Sequence, residues 1–239
     1  MSDPRPLGPL LPGWTPPERP AMTELEGTYV RLERLDADKH AALLFRAYER
    51  HDWIWDYLPW GPFSSAAQYH RWTREAAEGH DPYFFAIYDK QTRRYGGVGS
   101  FMRITPEAGA IELGGLTFAP CLQRTRASTE MFYLTMKWAF EAGYRRFEWK
   151  CDALNLPSRW AAQRLGLSYE GVFRQATVVK GRNRDTAWYA AIDKEWPALS
   201  EAFRVWLSPA NFTAEGTQKE RLSDLTKLAG VAPDPALAP

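Results

Sequence analysis

A short basic turn, Gln123-Arg124-Thr125-Arg126-Ala127-Ser128, carries the clearest chemistry in the sequence. It follows a strand pattern and precedes a helical one. The first N–H groups of a helix have no partner within the helix and carry partial positive charge, so they bind phosphate groups well. Arg124 and Arg126 add positive charge, and the paired N–H donors of a guanidinium group match the oxygens of a phosphate. The turn is therefore predicted to hold a pyrophosphate; the alternative is a plain helix start with Ser128 as its N-cap.

The segments around this turn predict a mixed α/β fold in which one sheet is flanked by helices. Alternating apolar residues predict strands at 27–34, 83–88, 96–103, 109–118, 147–151, 169–180 and 186–193. Helical patterns are predicted at 36–50, 64–78, 129–142, 156–165, 197–207 and 217–228. Gly114 and Gly115 lie inside the strand before the turn, which predicts a bulge or the close approach of a ligand.

Composition narrows the class of protein. The chain has 239 residues, 45% of them hydrophobic, and a formal net charge of +1. This balance gives no reason to expect nucleic acid or a membrane as partner, and no apolar run reaches the length of a membrane span. Two cysteines, Cys121 and Cys151, form neither a disulfide framework nor a metal-ligand spacing, so a cytoplasmic location without a bound metal is expected.

Proline content marks the two ends of the chain. Seven of the first twenty residues are proline, so residues 1–22 are predicted to be an extended arm. Residues 23–207 are predicted to form a single domain. Residues 208–239 are predicted to be an extension that is partly helical and has a frayed, disordered end.

The order of elements and several motifs resemble the GNAT acyltransferase superfamily, and within it the RimJ/RimL-type N-acetyltransferases. The motifs are Ile111-Glu112-Leu113-Gly114, the basic turn, Ala153-Leu154-Asn155-Leu156-Pro157-Ser158, Arg164-Leu165-Gly166-Leu167 and Glu170-Gly171-Val172-Phe173-Arg174-Gln175. The resemblance covers about residues 23–197. It implies a mostly antiparallel sheet splayed at a cofactor site, and acetyl-CoA as cosubstrate. The family's turn has small residues at its fourth and sixth positions, where this chain has Arg126 and Ser128.

The resemblance assigns the cofactor site to three segments. The backbone of Thr117 and Phe118 would pair with the pantetheine arm, and Asn155 and Ser158 would contact the cofactor from the opposite wall. The pyrophosphate would lie on the turn, whose assigned residues are Gln123, Arg124, Thr125, Arg126, Ala127 and Ser128. The alternative for Asn155 is a plain N-cap.

Acetyl transfer to an amine needs a neutral amine, a hydrogen-bond donor for the oxyanion and a proton for the CoA thiolate. Glu112 is the candidate base, directly or through water; the alternative is a carboxylate that faces solvent or pairs with an arginine. Ser158 is the candidate donor to the thiolate, because Ala162 stands where many relatives carry a tyrosine; its alternative is a capping role. The backbone N–H of Phe118 is the candidate oxyanion donor.

The acceptor would enter between the first two helices and the last hairpin, which means the loop 52–63 and the segment 169–188. Asp52, Trp55 and Trp60 are predicted to hold a cationic amine by charge and cation–π contact. The alternative is that the tryptophans pack beneath the loop or form a contact in a homodimer.

Three functions remain open at this point. The first is an acetyl-CoA-dependent N-acetyltransferase that acts on a protein N-terminal α-amine or a small-molecule amine. The second is a non-catalytic acyl-CoA-binding or regulatory module, suggested by the missing small residues and the missing tyrosine. The third is an α/β interaction domain without a cofactor.

Overall fold

Alternating apolar residues build an eight-stranded sheet in the computed structural model, which describes residues 5–237. The strands are β1 (Glu24–Glu26), β2 (Val30–Arg34), β3 (Tyr83–Asp89), β4 (Arg94–Thr105), β5 (Ala110–Phe118), β6 (Arg146–Asp152), β7 (Ser168–Val179) and β8 (Arg182–Ile192). Their order across the sheet is β1-β2-β3-β4-β5-β6-β8-β7. Only the β5–β6 pair is parallel, so the predicted mixed, mostly antiparallel sheet is confirmed.

Helices cover both faces of this sheet. They are α1 (Ala37–Tyr48), α2 (Ala66–Glu78), α3 (Arg126–Glu141), α4 (Leu156–Arg164), α5 (Trp196–Leu207) and α6 (Leu222–Thr226). Neighbouring residues of β3 point to opposite faces. Phe85 and Ile87 join the core beneath α3 and α5, whereas Phe84 and Ala86 join a second core beneath α1 and α2. None of the helices within residues 5–237 is long and apolar enough to cross a membrane.

Local capping explains where the helices begin. Asp36 accepts a hydrogen bond from the Lys39 N–H at 2.8 Å, as expected for the N-cap of α1. Helix α3 begins three residues earlier than predicted, because Thr125 and not Ser128 is its N-cap. The Ser128 N–H donates to Thr125 Oγ1 at 3.0 Å and the Thr125 N–H donates to Ser128 Oγ at 3.2 Å, which together form a capping box.

Three further elements differ from the sequence prediction. The short edge strand β1 was not predicted. The last hairpin turns at Lys180-Gly181, both with positive φ, so residues 182–185, predicted as part of the turn, already belong to β8. Helix α6 has five residues instead of extending over 217–228.

Strands β5 and β6 diverge after a short parallel contact. They pair only through Ala110–Arg146, Ile111–Phe147 and Glu112–Glu148. Beyond Glu112, β5 also contains the predicted bulge: Val98 pairs with Thr117 but Ser100 pairs with Gly114, and Gly115 has φ +61. The predicted splay of the sheet is therefore present, and it opens a gap between the ends of β5 and β6.

A segment near each end of the described residues packs against the domain. In the N-terminal arm, Pro17 and Pro20 are buried, and the Glu18 carbonyl accepts a hydrogen bond from Tyr144 Oη at 3.0 Å. At the other end Asp234 is buried, so the chain packs as far as Leu237 instead of fraying as expected. Residues 1–4 of the predicted arm and 238–239 of the predicted tail lie outside the described residues, and the predicted domain boundaries stay a prediction.

Candidate functional site

A row of aromatic rings spans the gap between the ends of β5 and β6. Phe118 at the end of β5 lies 5.9 Å, centroid to centroid, from Phe132 of α3. Phe132 lies 5.4 Å from Trp149 of β6. The gap therefore has an apolar lining that suits an aliphatic chain lying between the two strands.

The basic turn begins directly beyond this gap and presents free donors. Gln123 Nε2 donates to the Phe118 carbonyl at 3.0 Å and ties the turn to the end of β5. Among residues 5–237, no acceptor meets the backbone N–H of Arg124, Arg126 or Ala127. Free amides at the start of a sixteen-residue helix have the arrangement that a phosphate group needs.

The two residues that depart from the family's turn pattern both have structural partners. Arg126 is the first residue of α3, where helical backbone angles require no glycine. Its guanidinium carbon lies 3.5 Å from the ring centroid of Phe212, in the C-terminal extension. Ser128 completes the capping box. Within residues 5–237, neither Arg126 nor Ser128 therefore uses its side chain to occupy the free backbone N–H groups of Arg124, Arg126 and Ala127.

Arg164 is a further cation beside the turn, and it was not among the residues predicted for the site. Both of its terminal nitrogens lie 3.3 Å from Thr129 Oγ1 in the first turn of α3. Burial lowers the pKa of its guanidinium, and no carboxylate within residues 5–237 pairs with it. Its only signal in the sequence was membership of the Arg164-Leu165-Gly166-Leu167 motif.

The opposite wall of the gap is the start of α4. Asn155 is the N-cap of this helix, and its Oδ1 accepts from the Ser158 N–H at 3.2 Å. Ser158 Oγ accepts from Trp149 Nε1 at 3.0 Å, which leaves the hydroxyl proton of Ser158 free to donate. Cys151 lies beside it, and burial raises the pKa of its thiol, so it lacks the character of an activated nucleophile.

Glu112 is both buried and ion-paired. Its residue is 2% exposed, and Arg103 Nη1 lies 2.6 Å from its Oε1. Lys150 Nζ lies 3.0 Å from its Oε2 and 2.9 Å from Oε2 of Glu148. Burial raises the pKa of the Glu112 carboxyl, against the lowering effects of Lys150 and Arg103. The carboxylate thus has the raised pKa expected of a base, together with the arginine partner of the alternative reading.

The three predicted acceptor residues do not form one cluster. Trp55 is 3% exposed and packs against Tyr48, Phe63 and Tyr69, so it is a core residue, which corrects its assignment to the acceptor site. Trp60 is half-buried against Trp72 and Phe84. Asp52 is exposed at the start of a short 3₁₀ helix.

The aromatic loop, residues 51–63, is nevertheless bridged to two other elements of the site. Tyr57 Oη donates to the Leu154 carbonyl, next to α4, at 3.3 Å. Lys180 Nζ, at the tip of the β7–β8 hairpin, donates to the Trp55 carbonyl at 2.8 Å. The loop therefore connects the hairpin to the start of α4, on the side where the acceptor is predicted to enter.

Comparison with known proteins agrees with this geometry. Residues 30–168 match the family model described as an acetyltransferase (GNAT) domain. The chain is 43% identical to a GCN5-related N-acetyltransferase from Brucella melitensis, over 91% of this chain and 100% of that one, with a TM-score of 0.89. It is 39% identical to a probable GNAT-family acetyltransferase from Chromobacterium violaceum, over 83% and 100% of the two chains, with a TM-score of 0.77. Among curated proteins, none matches.

The chain therefore belongs to the GNAT acetyltransferase family, as its motifs indicated. A RimL ribosomal L7/L12 α-N-protein acetyltransferase in complex with coenzyme A shares the fold, at 23% identity and a TM-score of 0.61. That alignment covers 70% of this chain and 95% of that one.

Proposed function

We propose that the protein is an acetyl-CoA-dependent N-acetyltransferase that transfers an acetyl group to a primary amine by direct attack in a ternary complex. The acceptor is an α-amine at a protein N-terminus or a small-molecule amine. The observation that carries the proposal is the gap between β5 and β6, which has a buried carboxylate at its closed end and free helix N–H groups at its open end.

The donors around the gap fit a CoA molecule. The backbone N–H groups of the turn would bind the pyrophosphate, and Arg124 and Arg164 would add positive charge beside it. The backbone of Thr117 and Phe118 on one wall, and Asn155 on the other, would hold the pantetheine arm. When bound, acetyl-CoA supplies the acetyl group as an activated thioester.

Two side chains would then move protons. Glu112 would accept a proton from the acceptor ammonium, directly or through water, so that the neutral amine can attack the thioester carbon. The Phe118 N–H would donate a hydrogen bond to the oxyanion. As the carbon–sulfur bond breaks, the Ser158 hydroxyl would give its proton to the sulfur and regain one from the attacking nitrogen, directly or through water. The products are an amide and CoA.

Two observations favour the alternative of a non-catalytic acyl-CoA-binding module. Ala162, which replaces the tyrosine of many relatives, is fully buried, and Glu112 is held between two cations. A module of this kind would bind CoA without turnover, and Glu112→Gln would change nothing.

Release of free CoA thiol against a panel of amines and N-terminal peptides tests the proposal. Glu112→Gln should lower kcat by about 100-fold or more while CoA affinity, measured by calorimetry, stays unchanged. Glu107→Gln, which alters an exposed carboxylate shortly before β5, is the matched control and should behave as wild type.

Two other outcomes of these measurements would favour one of the alternative functions. Binding of CoA without turnover across the whole panel would favour the non-catalytic module. No heat at high micromolar CoA would leave only the interaction domain.

A further inference from the structure

An open cavity of about 750 Å³ lies on the α1 side of the sheet, next to the segment that leads into the cofactor turn. Its walls are the second half of α1, the hairpin between β3 and β4, and Pro120-Cys121. A volume of this order is typical of sites for small molecules. The mechanism proposed above uses none of its side chains.

The cavity is strongly basic. Arg46 of α1 and Arg93 and Arg94 of the hairpin line it, together with His51. None of its lining residues is acidic, and no carboxylate within residues 5–237 lies within ion-pair distance of the three arginines. A cavity lined by three guanidinium groups and no carboxylate has a positive potential that favours a bound anion.

The nearby carboxylate of Glu33 already has cationic partners. It accepts hydrogen bonds from Arg31 at 2.6 Å and from Tyr95 Oη at 2.9 Å, and Lys39 also pairs with it. Its charge is therefore compensated by Arg31 and Lys39, neither of which lines the cavity.

The hairpin tip also holds one of its arginines in an unfavourable backbone conformation. Arg93 has φ +56, in the left-handed region where glycine or asparagine would cost less. Such a conformation at the rim of a cavity agrees with a role for the side chain that it directs.

The cavity is separate from the turn that would hold CoA. Tyr95 and Tyr88, which line it, pack in the core beneath α1 and α2, on the face of the sheet opposite to α3. Arg126, by contrast, packs on Phe212, beside the core of the α3 face. The Pro120-Cys121 segment lines the cavity and leads into the turn.

We propose that this cavity, lined by Arg46, Arg93 and Arg94, is a second anion site that binds a small ligand carrying at least two phosphate charges. Guanidinium groups suit phosphate because their paired N–H donors match its oxygens. The phosphate groups belong to a free ligand that is distinct from CoA. The experiment below distinguishes such a ligand from the alternative source, which is the distal phosphate of CoA itself.

Calorimetric titration with inorganic pyrophosphate tests this, without CoA and at saturating CoA. Wild type should bind pyrophosphate in both conditions, with an affinity that falls as salt is raised. The double variant Arg93→Gln/Arg94→Gln should bind it at least about tenfold more weakly. Arg71→Gln/Arg74→Gln removes the same charge from the exposed face of α2 and should bind like wild type.

Three results would overturn the proposal. The first is the absence of pyrophosphate binding at saturating CoA. The second is equal binding by wild type and the Arg93/Arg94 double variant. The third is a loss of CoA affinity in that variant that parallels its loss of pyrophosphate affinity, because the cavity would then belong to the CoA site. Both arginines are exposed, so the variant should keep the melting temperature of the wild type.

Discussion

Replacing Lys150 by methionine removes one of the two cations that face the buried carboxylate of Glu112. Lys150 Nζ lies 3.0 Å from Glu112 Oε2, and the lysine side chain is only 8% exposed. Arg103, the other cation, is 56% exposed and stays in place. Methionine is unbranched and similar in size, but it lacks the ammonium that lies 3.8 Å from the ring centroid of Trp188. The substitution therefore changes charge with little change in shape.

The direction of the effect follows from these contacts. Burial raises the pKa of Glu112 and Lys150 opposes that rise, so loss of Lys150 must raise the pKa further. Lys150 is shared with Glu148, 2.9 Å away, and Arg103 stays beside Glu112, so part of the lowering effect of the cations remains in the variant. Since the base acts as a carboxylate, the acidic limb of the activity profile should move to higher pH in Lys150→Met.

The assay is kcat/KM against pH for wild type and Lys150→Met with one acceptor. Arg146→Met is the matched control, because Arg146 pairs with Glu148 at 2.7 Å and with Glu170 at 2.5 Å but does not contact Glu112. Its acidic limb should coincide with that of wild type. An unshifted limb in folded Lys150→Met, or an equal shift in Arg146→Met, would refute the assignment of Glu112 as the base.

Three further predictions concern the walls and supports of the site. Ser158→Ala should lower kcat by about 10- to 100-fold without weakening CoA binding, as measured by steady-state kinetics and calorimetry; unchanged kcat would exclude its role at the sulfur. Asp234→Asn should lower the free energy of unfolding in urea by about 3–5 kcal/mol, because it leaves the buried Arg159 without its carboxylate. Burial alone would raise the pKa of Asp234, but hydrogen bonds led by the one from Arg159 hold this pKa below its usual value. The stability that the ion pair contributes is therefore present above the pKa of Asp234 in the unfolded chain, and it is lost as the pH falls through the pKa of Asp234 in the folded protein. A loss of stability that persists unchanged at low pH would contradict this. Gly115→Ala should lower the melting temperature more than Gly181→Ala. Both glycines have positive φ, but of the two only Gly115 has neighbouring atoms that an added Cβ would meet, the nearest at 3.0 Å. Equal melting temperatures of the two variants would argue against this crowding.

Features governed by near neighbours in the chain were predictable. Asp36 was recognised as a cap because its side chain bonds a backbone N–H three residues later. The bulge at Gly114-Gly115 was expected because glycine accepts the positive φ that a bulge can require. The start of α3 was misplaced by three residues because Thr125 and Ser128 are both good caps and the sequence did not reveal their reciprocal bonding.

Features governed by distant residues were predicted only in part. Glu112 was chosen from its position on the strand before the turn, but its partners Arg103 and Lys150 come from neighbouring strands and depend on register. Trp55 was assigned wrongly, because clustering of aromatic residues in a loop does not tell which ring packs inward. Arg164 was not assigned because its contact with Thr129 joins two helices that are separated along the chain.

The basic turn shows where this division lies. Its position between a strand and a helix, its capping residues and its charge are local properties, and the order of segments around them was enough to indicate the family. The gap beside the turn exists because β5 and β6 pair over three residues and then part. The two cations beside Glu112 and the basic cavity beside α1 arise from the packing of separate strands and helices. Such contacts join residues far apart in the chain, and their geometry follows from sheet register and core packing, which no local pattern specifies.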